Sequence, residues 1–306
     1  MGIDVLQAKI RKLKNPTMVT LCPEYAQLPA CVREQAQEQH GDTLAAAAEA
    51  YRRFCCEILD ALTDVVPAVC VESGCFAALG ADGIAAMQRV LEYAREREFY
   101  VLLDLMRCDL PPAVDMLAAS CFGTVQVGAQ VFTPYPCDGV VLSAFLGSDG
   151  ALPFVQYCAA GKNVFLLAHS SNKSAREVQD LLAGDRMSYQ VTADLAMRWS
   201  RDLFGKNGYS EIGIVAGLPN ASVMQTLRQK YDRLFLLVPG YGTQGGTAKN
   251  AQYAFDRMGH GAAIMAGRSI LNAWQRAGTD GADFAAQARA AAEKMRVQLF
   301  GYMTVM

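Results

Sequence analysis

Two stretches near the end of the chain carry residue types that hold an anion. Pro239-Gly240-Tyr241-Gly242-Thr243-Gln244-Gly245-Gly246-Thr247 is glycine-rich, and Gly267-Arg268-Ser269 follows it. Glycines let backbone N–H groups approach an anion closely, and a nearby helix N-terminus adds a favourable dipole. Arginine grips phosphate through a two-pronged guanidinium. Each stretch alone also reads as a plain turn or a surface charge. Together, at successive strand ends, they point to a phosphate site built by the glycine loop, Gly242 and Gly245 included, and by Arg268. A second group holds carboxylates and sulfur: Asp104 and Asp109 bracket Met106, and Cys22, Cys70 and His169 close other apolar runs. Soft sulfur with histidine suits zinc or copper, so Cys22, Cys70 and His169 are a conceivable metal set, although their spacing matches no metal signature. The competing reading of His169 is a hydrogen-bonded structural histidine.

These positions acquire meaning from the elements that hold them. Short apolar, β-branched runs at 18–22, 65–71, 99–105, 139–145, 163–169, 211–217, 233–240 and 262–267 alternate with amphipathic stretches. Helical spacing predicts helices over 43–62, 82–97, 175–182, 188–203, 222–231, 248–257 and 283–299, with Thr43 as an N-cap. Strand–helix alternation implies a parallel sheet covered by helices. Eight runs are what a closed (β/α)8 barrel of the α/β class requires, and its reactive face lies at the C-terminal strand ends. An open doubly wound sheet satisfies the alternation as well. Residues 123–139 read as a loop or short excursion. No linker or low-complexity tract interrupts the chain, so a single domain over 1–306 is expected.

Bulk properties exclude several classes. The chain has 306 residues, 52% of them hydrophobic, which is enough for a full core. A net charge of −2 leaves no strong attraction to nucleic acid or anionic membrane. The polar, basic start lacks the apolar core of a signal peptide, and no apolar run spans a bilayer. A cytoplasmic protein is expected. The 10 cysteines lack CxxC pairs and read mainly as small buried hydrophobes.

The glycine-rich loop and its following Gly-Arg-Ser-Ile resemble the phosphate gripper of orotidine 5′-monophosphate decarboxylases, above all the longer bacterial subfamily. The likeness extends over Asn15-Pro16-Thr17, Val66-Pro67-Ala68-Val69, Asp104 to Asp109, Leu146-Gly147-Ser148-Asp149-Gly150 and Ser170-Ser171-Asn172. It implies a (β/α)8 barrel without a cofactor that pairs as a homodimer, or as a heterodimer with an active relative. It also implies that Gln244 and Arg268 hold the substrate phosphate, that Ser171 lies near the pyrimidine, and that Asp109 crosses into the partner's site. The family reaction removes CO2 from C6 of the orotate ring. One carboxylate crowds the substrate carboxylate, while a lysine ammonium stabilises and protonates the carbanion.

The resemblance stops at that chemistry. The family's Asp-x-Lys-x-x-Asp reads Asp104-Leu105-Met106-Arg107-Cys108-Asp109, so methionine replaces the lysine. Cys22-Pro23 stands where the family has Asp-Pro, and Cys70-Val71 where it has Lys-Pro. Arg107 alternates away from Met106 and is a poor acid; Lys162 starts a strand at the wrong end; Lys173 and Lys249 lie on loops that nothing fixes. Without the ammonium, Asp104 and Asp109 are expected to repel, so that one retains a proton or recruits a cation. The expected function is a barrel that binds a phosphate-bearing, nucleotide-like ligand with decarboxylation lost or very weak. The alternatives are a working decarboxylase making UMP, and a different, metal-assisted barrel enzyme acting on a phosphorylated metabolite.

Overall fold

The computed structural model describes residues 2–107 and 109–303; Cys108 lies outside them. Eight parallel strands close a barrel: Thr17–Leu21 (β1), Ala68–Glu72 (β2), Tyr100–Arg107 (β3), Gly139–Leu142 (β4), Asn163–His169 (β5), Ile212–Ala216 (β6), Leu236–Pro239 (β7) and Ala262–Ala266 (β8). Neighbours in sequence are neighbours in the ring, and β8 returns to β1 with Thr17 opposite Ile264. Closure excludes the open sheet.

Side-chain alternation divides the core in two. Met18, Ala68, Cys70, Tyr100 and Leu102 fill the barrel interior, whereas Val19, Val69, Val71, Val101 and Leu103 meet the helices outside. Those helices include Ala30–His40, Leu44–Leu62, Gly80–Glu96, Ala113–Phe122, Ser148–Val155, Ser188–Trp199, Ala221–Lys230 and Phe284–Phe300. Thr43 caps Leu44–Leu62 as expected, its hydroxyl accepting from the Ala46 N–H at 3.2 Å. No described helix is long and apolar enough to cross a membrane.

The basic N-terminal stretch is a helix, Gly2–Leu13 (α1), and it closes the bottom of the barrel. Ile3, Leu6 and Ile10 recur at helical spacing and are buried among the interior residues. The Ile3 N–H donates to the buried carboxylate of Glu211 at 3.1 Å, and Asn163 Nδ2 donates to the same oxygen at 2.7 Å. The opposite end, where the strands finish, leaves the mouth of the barrel open to a ligand. Leu6→Ala is expected to cost about 2–5 kcal/mol, the range for a truncated buried leucine, read as a lower urea midpoint with an unchanged slope.

Two helix expectations fail locally. The stretch 175–182 is not helical: a 3₁₀ turn, Lys173–Glu177, leads into Leu182–Ala183 paired with Arg186–Met187 across Gly184 at φ 71°. Gln179 is drawn inward to accept from the Ser170 N–H at 2.7 Å, and Leu181 and Leu182 face solvent, so no apolar face remains to hold a helix. The helix expected at 248–257 stops as Ala248–Ala251 and passes into 3₁₀ geometry at Gln252–Ala254. The excursion 123–139 contains a hairpin of Val125–Val127 with Gln130–Phe132.

Candidate functional site

At the C-terminal mouth, a cavity is lined by side chains from six strand ends. Thr20 and Cys22 come from β1, Glu72 from β2, and Asp104 and Met106 from β3. Ser170 and Ser171 follow β5, Gln244 lies in the loop after β7, and Arg268 follows β8. Leu167, Val215 and Met265 form its apolar base. Six residues singled out in the sequence therefore converge: Cys22, Asp104, Met106, Ser171, Gln244 and Arg268.

The loop after β7 is rigidly tied. Gly242 N–H donates to the Gly246 carbonyl at 3.0 Å and Gly245 N–H to the Gly242 carbonyl at 2.9 Å. These two glycines were expected to offer their amides to an anion. They do not line the cavity, and their N–H groups are engaged within the loop. Their contribution is backbone shape: Gly242 sits at φ 80°, and a Cβ there would stand 2.7 Å from Cβ of Ser269. Ser269 Oγ in turn donates to the Tyr241 carbonyl at 3.1 Å, locking the loop to the end of β8.

Donors on the cavity wall come from side chains instead. Ser171 Oγ donates to Gln244 Oε1 at 2.7 Å, which fixes the amide with its NH2 end available. Arg268 is exposed and makes no side-chain hydrogen bond or salt bridge among the described residues. It is the one Lys, Arg or His among the cavity-lining residues described. Neither Lys173 nor Lys249 reaches the cavity, and Lys162 donates to the Cys137 carbonyl at 2.6 Å.

The opposite wall is acidic. Glu72 and Asp104 are register partners on β2 and β3. Burial, and then the Glu72 charge, push the Asp104 carboxyl up to about 7, despite a hydrogen bond from the Met106 N–H. Burial raises Glu72 as well, opposed by Arg268. One oxygen of Asp104, Oδ1, is buried without a hydrogen-bond partner. Burial also drives the Cys22 thiol up to about 12, with Glu72 adding to the effect, so Cys22 stays a neutral thiol.

The expected clash of carboxylates is present with a different partner. Asp109 leaves the cavity and binds Arg107 through two hydrogen bonds of 2.9 Å. The cause is a kink: Met106 takes φ 44°, and the β3–β4 register shifts between Asp104 and Arg107. Glu72, which the sequence reading passed over, is the group facing Asp104. Period-2 alternation from Ala68 through Cys70 was the signal that reveals it.

Cys70 and His169 also lie away from the cavity. Cys70 is fully buried one layer beneath the mouth, and burial raises its thiol well above the ordinary range. His169 is buried behind β5, with Nε2 3.1 Å from Asp180 Oδ1 and Nδ1 3.1 Å from Asn220 Nδ2. It is a hydrogen-bonded structural histidine. Among the described residues, no three His, Cys, Asp or Glu side chains come together as a metal site. The suggested Cys22, Cys70 and His169 set does not assemble, because His169 is held by Asp180 and Cys70 by the core.

Residues 36–279 match the family model described as Orotidine 5′-phosphate decarboxylase / HUMPS family. Over 303 residues the chain is 32% identical to an orotidine 5′-phosphate decarboxylase of Rhodopirellula baltica, covering 97% of this chain and 98% of that protein. It is 33% identical over 242 residues to one from Clostridium perfringens, covering 78% and 80% respectively. A solved putative orotidine-monophosphate-decarboxylase from Toxoplasma gondii superposes with a TM-score of 0.77 at 27% identity, covering 98% of this chain and 97% of that one.

Proposed function

The chain belongs to the Orotidine 5′-phosphate decarboxylase / HUMPS family, and from that premise we propose that it binds a nucleoside 5′-monophosphate without the family's decarboxylation. One observation carries the reading: the described cavity wall has a single cation, Arg268, and it forms no salt bridge with Asp104 or Glu72. Arg268 and Gln244 take the phosphate, with Ser171 orienting the Gln244 amide. Met106 has neither proton nor charge to offer a carbanion, and Cys22 and Cys70 stay neutral. A group that must stabilise negative charge is missing where that charge would form.

The second reading, a working decarboxylase in pyrimidine synthesis, is favoured by the names of the relatives at 32% and 33% identity. Two measurements separate them. Calorimetry with UMP is expected to show binding, while orotidine 5′-monophosphate shows no turnover. Rescue of a uracil-auxotrophic strain by the expressed chain would establish the second reading instead.

The protein acts as a homodimer in the cytosol on this proposal, the free thiols suiting a reducing compartment. Large apolar side chains are exposed on segments between β3 and Ser148–Val155: Leu110, Met116, Phe145 and Leu152, with Phe145 83% and Met116 71% exposed. Such a surface marks an interface. Met116→Asp with Phe145→Asp is expected to halve the mass measured by light scattering while the far-UV spectrum is retained. An unchanged mass places the contact elsewhere.

A further inference from the structure

We propose that the cavity prefers phosphate monoesters whose far end carries a cationic or N–H-donating group over those carrying a carboxylate. The proposal rests on the reading of Arg268 and Gln244 as the phosphate grip, and it names what the other wall selects.

That wall is built of acceptors. Glu72 and Asp104 point the same way on adjacent strands, because both continue the inward alternation of Ala68-Cys70 and Tyr100-Leu102. Asp104 Oδ1 is a buried acceptor without a donor, a condition that a ligand N–H would relieve. The adjoining donor is weak and turned inward: Cys22 Sγ–H faces the Thr20 carbonyl at 3.7 Å. A ligand carboxylate would be a third acidic group beside a pair in which the Glu72 charge already strengthens the hold of Asp104 on its proton. A ligand amine or ring N–H meets complementary oxygens.

The titratable and charged neighbours of the pair are few. Cys70 on β2, Cys75 on the short helix Ser73–Ala77, and Cys22 after β1 all have thiols raised by burial, and none is charged near neutral pH. Arg268, beyond the end of β8, is the cation acting on Glu72, and it forms no salt bridge with it. Above a pH of about 7 the Asp104 carboxyl is ionised, so discrimination between donor and carboxylate ligands is largest there.

The test uses the full chain and ligands that differ at ring carbon 6 alone: UMP with hydrogen, orotidine 5′-monophosphate with carboxylate, and 6-aminouridine 5′-monophosphate with an amino group. Because the phosphate is common, its own titration cancels in the ratios. At pH 8 the amino compound is expected to bind at least about tenfold more tightly than the carboxylate compound, a difference of about 1.4 kcal/mol. The ratio shrinks at pH 6, and in Glu72→Gln it falls below about threefold, with far-UV circular dichroism and an unchanged melting profile reporting that the variant is folded. Equal affinities at pH 8, or a ratio untouched by Glu72→Gln, overturn the proposal and leave the phosphate reading standing. Failure of all three ligands to bind overturns both.

Discussion

Met106→Lys combined with Cys22→Asp is expected to raise turnover of orotidine 5′-monophosphate at least about 100-fold above the unsubstituted chain. A positioned general acid contributes about 10²–10⁴-fold, and the new ammonium would also stabilise the developing carbanion. Met106 is the position to change because its side chain lines the cavity and its own N–H already contacts the Asp104 carboxylate. A double variant that binds UMP as tightly as the parent yet stays inert would show that the wall geometry, in addition to its charge, has moved.

Met106→Lys by itself has a second signature. Asp104 holds its proton up to about 7 in the folded chain, whereas its ordinary value is 3.8. Between those values the folded state binds more protons than the unfolded one, so stability is highest below the ordinary value and falls as pH rises through the folded one. The steepest slope this group can give is about 1.4 kcal/mol per pH unit. An ammonium beside Asp104 lowers its pKa, so the drop in Tm between about pH 5 and 8 should flatten in the variant. Thermal melts across that range decide it, and an identical slope would mean that the lysine side chain lies elsewhere.

Arg268→Ala is the other large effect expected: about a 100-fold loss of UMP affinity, in line with removing a charge-assisted contact to phosphate. The substitution leaves the loop in place, since the loop is held by Ser269, Met265 and its own backbone rather than by the guanidinium. Arg268→Lys should recover part of the affinity, because an ammonium restores charge without the planar fork. Calorimetric affinity within threefold of the parent in Arg268→Ala would remove Arg268 from the site.

What the sequence disclosed, it disclosed through period and residue type. Alternating apolar runs gave the eight strands, and strand ends gave Asp104, Met106, Gln244 and Arg268. Glu72 was legible by the same rule, two residues beyond Cys70, although the family resemblance ends at the Cys70-Val71 pair. The plug helix α1 was legible too, in Ile3, Leu6 and Ile10, but Lys9, Arg11 and Lys12 made the stretch look merely polar. The pairing of Asp109 with Arg107 was not legible: it depends on a left-handed turn at Met106, and no periodicity encodes a single residue's φ. The segment 175–182 misled because Val178, Leu181 and Leu182 carry helical spacing while facing solvent.

The ring closes only when β8 pairs with β1. Cys22, Glu72 and Asp104 come from the first three strands of the chain, and Gln244 and Arg268 from its last quarter. No nascent chain lacking its final strand therefore possesses a complete binding surface. A ligand stabilises only the finished ring, pulling on the equilibrium after the last strand docks and contributing nothing to the search that brings it there.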